Sequence, residues 1–149
     1  MQVVSTTASV SLRSPFSDTQ LSVRLAVSAA DVIAAQRLRY KVFCEEMGAE
    51  LHRHDGRDVD AFDAVCEHLI VVDDSLDKVV GTYRILPPWG ARSLQRMYSE
   101  CEFRIDSLRP IAPEIFEVGR ACIHPAYRSS GALARLWTGL GAYVREHGV

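Results

Sequence analysis

The 149 residues are 48% hydrophobic and 24% charged, with a formal net charge of −2, which suits one ordinary globular domain rather than a disordered or fibrous chain. The slight acidic balance argues against a nucleic-acid protein, which would carry a basic surplus. Cys44, Cys66, Cys101 and Cys122 form no C-x-x-C pair, so neither a zinc site nor a disulfide framework is indicated and reduced thiols are expected. No apolar run approaches a membrane span and the N-terminus lacks a secretory signal's pattern, so the expected location is the cytoplasm.

Residues 1–19, rich in Ser and Thr, show no periodicity and read as a mobile leader, leaving 20–149 as one domain. Leu21 to Val27 alternates early on and predicts a strand, with Ser28 as the N-cap of a helix to about Met47. Val32, Ala35, Leu38 and Val42 form the helix's apolar stripe, and Arg39 lies on its flank, needing either an acidic partner or an alkyl stem snorkelling to solvent. Gly48 to Ala64 is a polar loop holding Asp55, Asp58, Asp60 and Asp63 with His52 and His54. No regular spacing holds those side chains in register for a metal, so the loop reads either as solvated or as a recogniser of a cationic amine.

His68 to Asp73 and Val79 to Leu86 predict a hairpin closed by Pro87-Pro88. A short helix over Ala91 to Tyr98, an extended Cys101 to Ile105 and a helical turn at Asp106 to Arg109 follow. Between Pro113 and Pro125 lies a strand carrying Glu117 and Arg120, charges that are costly in an apolar strand without partners or a task. Residues three apart in a regular strand face opposite sides, so a single site using both requires a bulge near Gly119. The turn after Pro125 is expected to cap a helix through a Ser hydroxyl, with Leu133, Leu136, Trp137, Leu140 and Val144 facing the sheet and Gly148 as C-cap. A strand running into a helix N-terminus leaves backbone N–H groups suited to a phosphate. The order strand, helix, hairpin, strand, helix is mixed α/β, and such a sheet normally continues, so a longer polypeptide is expected.

The charged positions resemble a known pattern. Arg39 with Phe43, Asp60 and Asp63, Arg84 after Gly81, and Glu117 with Arg120 are similar in order to acyl-homoserine-lactone autoinducer synthases. The wording between them, Arg39-Tyr40-Lys41-Val42-Phe43, His68-Leu69-Ile70-Val71, Gly81-Thr82-Tyr83-Arg84, Tyr98-Ser99-Glu100 and Gly119-Arg120 before Tyr127-Arg128, looks more like the ornithine-lipid acyltransferases, also called hemolysin-like, of the GNAT superfamily. The resemblance implies an α/β (α+β) fold with a mostly antiparallel sheet flanked by helices, here lacking the C-terminal strands. It implies transfer of a 3-hydroxyacyl chain from acyl carrier protein to the α-amine of ornithine, giving lyso-ornithine lipid, with peripheral membrane contact through that product.

On this resemblance Glu117 is the base or a water-relayed proton acceptor, or else a structural carboxylate locked to Arg39, Arg84 or Arg120. Asp60 and Asp63, with Phe43, bind the acceptor, and Arg84 and Arg120 hold the network or grip the acceptor carboxylate. Arg128, Ser129, Ser130, Gly131 and Ala132 take the donor phosphate. The turn usually ends in a small residue where this chain has Leu133, which fits the single phosphodiester of a carrier-protein phosphopantetheine better than free coenzyme A. No metal and no permanently bound cofactor are implied. Cys122 with His124 offers a thiol nucleophile, but direct transfer to an amine needs no acyl-enzyme. Two other readings stay open: autoinducer synthesis with S-adenosylmethionine as acceptor, and a non-catalytic module docking carrier protein through Arg37, Arg39 and Lys41.

Overall fold

The computed structural model describes residues 20–50 and 55–148, so the expected leader and the side chains of His52 and His54 lie outside the described residues. Four strands form one antiparallel sheet in the order β1-β2-β3-β4: β1 Leu21–Leu25, β2 Glu67–Asp73, β3 Lys78–Leu86 and β4 Glu117–Ile123. The helices are α1 Ala29–Tyr40, α2 Pro88–Leu94 and α3 Ala132–His147.

Side-chain alternation along β2 divides the core between the two faces of the sheet. Ile70 and Val72 pack with Ala35 of α1, whereas Leu69 and Val71 pack with Leu136, Leu140 and Tyr143 of α3. Ser28 starts α1 as expected, accepting from the Asp31 N–H at 3.1 Å while the Asp31 carboxylate accepts from the Ser28 N–H at 3.3 Å. The helix then widens into a π-turn over Lys41–Glu46, where the Met47 N–H reaches the Val42 carbonyl at 3.1 Å.

The stripe of α3 is rotated from the expected one. Ala132, Leu136, Gly139, Leu140 and Tyr143 are buried, whereas Leu133 and Trp137 are exposed. Gly139 causes this, because a Cβ there would stand 2.6 Å from Val23 Cγ2 and 3.2 Å from Leu69; the bare backbone lets α3 press on β1 and β2 along that line. The helix is capped by Gly131 at φ 83° with no side-chain bond, and the Ser130 hydroxyl donates instead to the Tyr127 carbonyl at 2.6 Å. The expected hydroxyl cap is thus replaced by a glycine turn. Gly148, φ 67°, closes the helix as expected.

The segment between β3 and β4 also departs from expectation. Pro88 occupies the first turn of α2, which therefore starts before Ala91, and Gln95 at φ 55° ends it. Tyr98–Cys101 closes into a 3₁₀ turn rather than entering an extended stretch, because acidic side chains satisfy its leading N–H groups: Glu100 accepts from Met97 at 2.8 Å and Glu117 from Tyr98 at 2.7 Å. A second 3₁₀ segment, Asp106–Glu114, contains Pro110 and Pro113, so β4 begins at Glu117 rather than at Pro113.

Candidate functional site

The site is built where α1, the 55–66 loop, β3 and β4 meet. Arg39 is fully buried, so the snorkelling alternative is excluded and so is Arg39 as a docking contact, leaving Arg37 and Lys41 exposed on that helix. Its guanidinium donates through Nε to Asp58 Oδ2 at 2.9 Å, and through Nη2 to the Asp58 carbonyl and to Asp63 Oδ1, each at 2.6 Å. Nη1 lies 3.3 Å from His68 Nδ1. Burial, then the Arg39 charge, lower the His68 pKa; a neutral ring accepting at Nδ1 carries its proton on Nε2, which lies 3.6 Å from Asp63 Oδ1.

Arg84 points to the α1 face of β3 and donates to Asp60 Oδ1 at 2.7 Å, with Asp63 Oδ2 at 3.5 Å. Asp63 Oδ2 also accepts from the Asp60 N–H at 2.9 Å, so both Asp63 oxygens are committed inside the protein. Its side chain is 6% exposed against 28% for Asp60. Of the two expected acceptor-binding aspartates, Asp60 is therefore the more open to solvent. Burial works to raise the Asp60 carboxyl, but Arg84, the Phe62 N–H and Arg120 outweigh it and hold its pKa below the usual value.

Arg120 reaches the same cluster by a bulge. Gly119 pairs with Arg84 and Cys122 with Thr82, so β4 carries one residue more than β3 between those pairs. Arg120 takes up the excess at φ 51°, a left-handed conformation for a non-glycine residue. The expected bulge is thus present, one residue beyond Gly119. It directs the Arg120 Nε to Asp58 Oδ2 at 3.1 Å, Nη1 to the Tyr98 hydroxyl at 2.7 Å, and Nη2 to within 3.7 Å of Asp60. Burial opposes the Arg120 charge, while Tyr98, Asp58 and Asp60 overcompensate and raise its pKa.

Three arginines, Arg39, Arg84 and Arg120, thus face Asp58, Asp60 and Asp63. Asp58, shared by Arg39 and Arg120 and only 2% exposed, was not singled out from the sequence. Charge balance could have found it, since three arginines brought into a core call for a third carboxylate, and Asp58 is the acid next to Asp60 in the loop.

Glu117 does not join this network, so the expectation that it locks to Arg39, Arg84 or Arg120 is corrected. Its carboxylate accepts from the Tyr98 N–H at 2.7 Å, the Ser99 N–H at 2.9 Å and the Ser99 hydroxyl. Tyr98 links it to the arginines: its ring lies 4.9 Å from the Arg120 guanidinium and 5.2 Å from that of Arg84, edge-on to Phe62 at 5.2 Å. On the α1 side Phe43, Ala49, Asp58, Arg120 and Ala121 line an open cavity of about 410 Å³. Arg128 stands apart from this cluster, paired with Glu46 at 2.6 Å beside the Ser129 to Gly131 turn. Cys122 packs with Leu38 and Val42, and burial pushes its thiol up to about 12, so it supplies no thiolate nucleophile.

Comparison with known proteins adds a lineage to this geometry. The chain is 42% identical over 139 residues to the L-ornithine N(alpha)-acyltransferase of Rhizobium meliloti (strain 1021), covering 87% of this chain and 47% of that protein. It is 40% identical to the L-ornithine N(alpha)-acyltransferase of Brucella abortus (strain 2308), covering 87% and 50%. The chain therefore spans about half the length of these curated relatives. In fold it is similar to a CoA-dependent acyl-homoserine lactone synthase solved with SAM and isopentyl-CoA, with TM-score 0.66, 22% identity, and 87% of this chain and 64% of that one covered. The model of the acetyltransferase (GNAT) domain matches residues 38–138, a span that holds all three arginines and all three aspartates of the network, and the chain belongs to that family.

Proposed function

We propose that the chain is part of an enzyme that transfers a 3-hydroxyacyl group from the phosphopantetheine thioester of acyl carrier protein to the α-amine of ornithine, forming lyso-ornithine lipid. The observation that carries this reading is that the two relatives described above, both named L-ornithine N(alpha)-acyltransferases, align over 87% of the chain, whose arginine–aspartate network opens on a cavity at Asp58 and Arg120.

In this reaction the neutral amine attacks the thioester carbonyl, the C–N bond forms, the C–S bond breaks, and the amine proton ends on the departing thiol. The protein's task is to orient a zwitterionic acceptor and hold the donor still. Asp60, with its pKa held low and its side chain partly exposed, attracts the acceptor's cationic groups. Arg120 and Arg84 sit within one ion-pair network with it and supply charge for the acceptor carboxylate. Phe43 forms an apolar wall of the cavity. Arg128 and the turn through Ser129, Ser130, Gly131 and Ala132 offer a cation and helix N–H groups to the donor phosphodiester. Acyl carrier protein is the proposed partner, and no permanently bound cofactor is invoked.

The test is to incubate the full-length protein with 3-hydroxyacyl carrier protein and, separately, ornithine or S-adenosylmethionine, and to identify products by mass spectrometry. An amide of ornithine supports the proposal. Acyl-homoserine lactone instead would assign the chain to autoinducer synthesis, and carrier-protein binding with no product would leave a docking module.

A further inference from the structure

We propose that Glu117 is a positioning residue, fixing the guanidinium of Arg120 through Tyr98, and that it is not the group that takes the amine proton. The inference rests on the acyl-transfer reading above and adds Tyr98 to its machinery. Three acceptor positions of the Glu117 carboxylate are already filled by the Tyr98 N–H, the Ser99 N–H and the Ser99 hydroxyl. A carboxylate offers about four lone-pair sites. Taking a proton from a substrate amine would neutralise the carboxylate and weaken the bonds it accepts from the donors that hold the 3₁₀ turn Tyr98–Cys101 in place.

That turn serves Arg120. The Tyr98 hydroxyl accepts from Arg120 Nη1 at 2.7 Å, and the ring lies 4.9 Å from the same guanidinium. Asp58 holds the opposite edge through Nε at 3.1 Å. Arg120 is thus clamped from two directions, one from the 55–66 loop and one from the turn that Glu117 anchors. A clamp is what a strained residue requires. Arg120 sits at φ 51°, where a side chain is disfavoured, and such a conformation persists only when its surroundings over-determine it. A chain of contacts from Glu117 through Tyr98 to Arg120 predicts that changes at the first two residues act on the same property of the third.

The experiment uses the full-length protein with Glu117→Gln, Tyr98→Phe and the double variant, each checked for folding by circular dichroism. Two readouts are taken: kcat and KM for ornithine across the neutral and alkaline range, and the NMR signal of the Arg120 Nε–H with its exchange rate. We expect each single variant to lower kcat/KM by roughly tenfold, as for loss of a hydrogen bond to a charged group. The double variant should fall no more than about threefold below the worse single, since the residues act in series. The rising limb of the pH–rate profile should persist in Glu117→Gln, and Arg120 Nε–H exchange should speed up in both single variants. Loss of that limb in Glu117→Gln, with Tyr98→Phe equal to wild type, would overturn the proposal and make Glu117 the base. An Arg120 signal unmoved by Glu117→Gln would overturn it too. A wild-type protein that acylates no ornithine would count against the acyl-transfer reading alone, because the Arg120 signal still reports the clamp.

Discussion

Arg120 pays for its place in the network with backbone strain, at φ 51° in the bulge of β4. Replacing it by Gly or by Ala removes the same guanidinium, and only Ala keeps a Cβ in the left-handed region. Arg120→Ala is therefore expected to be about 1 kcal/mol less stable than Arg120→Gly by urea unfolding; equal stabilities would mean that the left-handed conformation is not retained. Asp58 carries the opposite obligation, since it neutralises both Arg39 and Arg120 while buried. Asp58→Ala leaves the three arginines facing only Asp60 and Asp63, with Arg39 still fully buried, and should cost roughly 3–5 kcal/mol. A loss below about 1 kcal/mol, a size typical of surface ion pairs, would show that the network is not closed as described. At this scale the sequence was only partly legible. The order of Arg39, Asp60, Asp63, Arg84 and Arg120 pointed to one cluster, but partner choice depends on rotamers and burial, so Asp58 and the attachment of Glu117 to the Tyr98 turn could not be read from spacing.

The secondary elements were legible where one residue type forces the backbone. Ser28 with Asp31 set the start of α1, Gly148 the end of α3, and Pro87-Pro88 the end of β3. The rotation of α3 was not, because hydrophobicity alone favours Leu133 and Trp137 over Gly139 as a packing face. Contact with the sheet is decided by how closely backbones approach, and glycine wins there. The consequence is testable with a pair of substitutions on that helix. Gly139→Val would thrust side-chain atoms into Val23 and Leu69 and should lower stability by about 2 kcal/mol. Gly141→Ala meets only the end of the Arg145 side chain, at 3.6 Å, and should raise stability by up to about 1 kcal/mol through helix propensity. The reverse ranking by thermal or urea unfolding would place the other face of α3 on the sheet. Between β3 and β4 the 3₁₀ turn Tyr98–Cys101 depends on the carboxylate of Glu117 from the next strand, which local pattern does not encode.

Across the whole molecule, the fold's stability is tied to keeping aspartates ionised and His68 neutral. The Asp60 and His68 pKa values are both lowered in the folded state, Asp60 by its arginine partners against the opposing effect of burial, His68 by burial and Arg39. For each group the unfolded chain binds the proton more readily, so stability falls as pH falls. The sign is the same for both, and the windows differ: loss begins below about 6.5, the ordinary imidazole value, and resumes below about 3.8, the ordinary aspartate value. Urea midpoints measured from neutral to acid pH should decline through both windows, and a midpoint that rises on acidification would contradict the assigned protonation states. No described helix is long and apolar enough to cross a membrane.

The role of Arg120 in acyl transfer is tested by amide formation from 3-hydroxyacyl carrier protein and ornithine by the full-length protein, wild type against Arg120→Gly, with product identified by mass spectrometry. Arg120→Gly relieves the bulge while removing the charge that the acceptor is proposed to meet. We expect lyso-ornithine lipid from the wild type and a loss of about a hundredfold or more in kcat/KM from a folded variant, as for misplacement of a substrate against its donor. No ornithine amide from the wild type, or turnover by the variant equal to wild type, would contradict it.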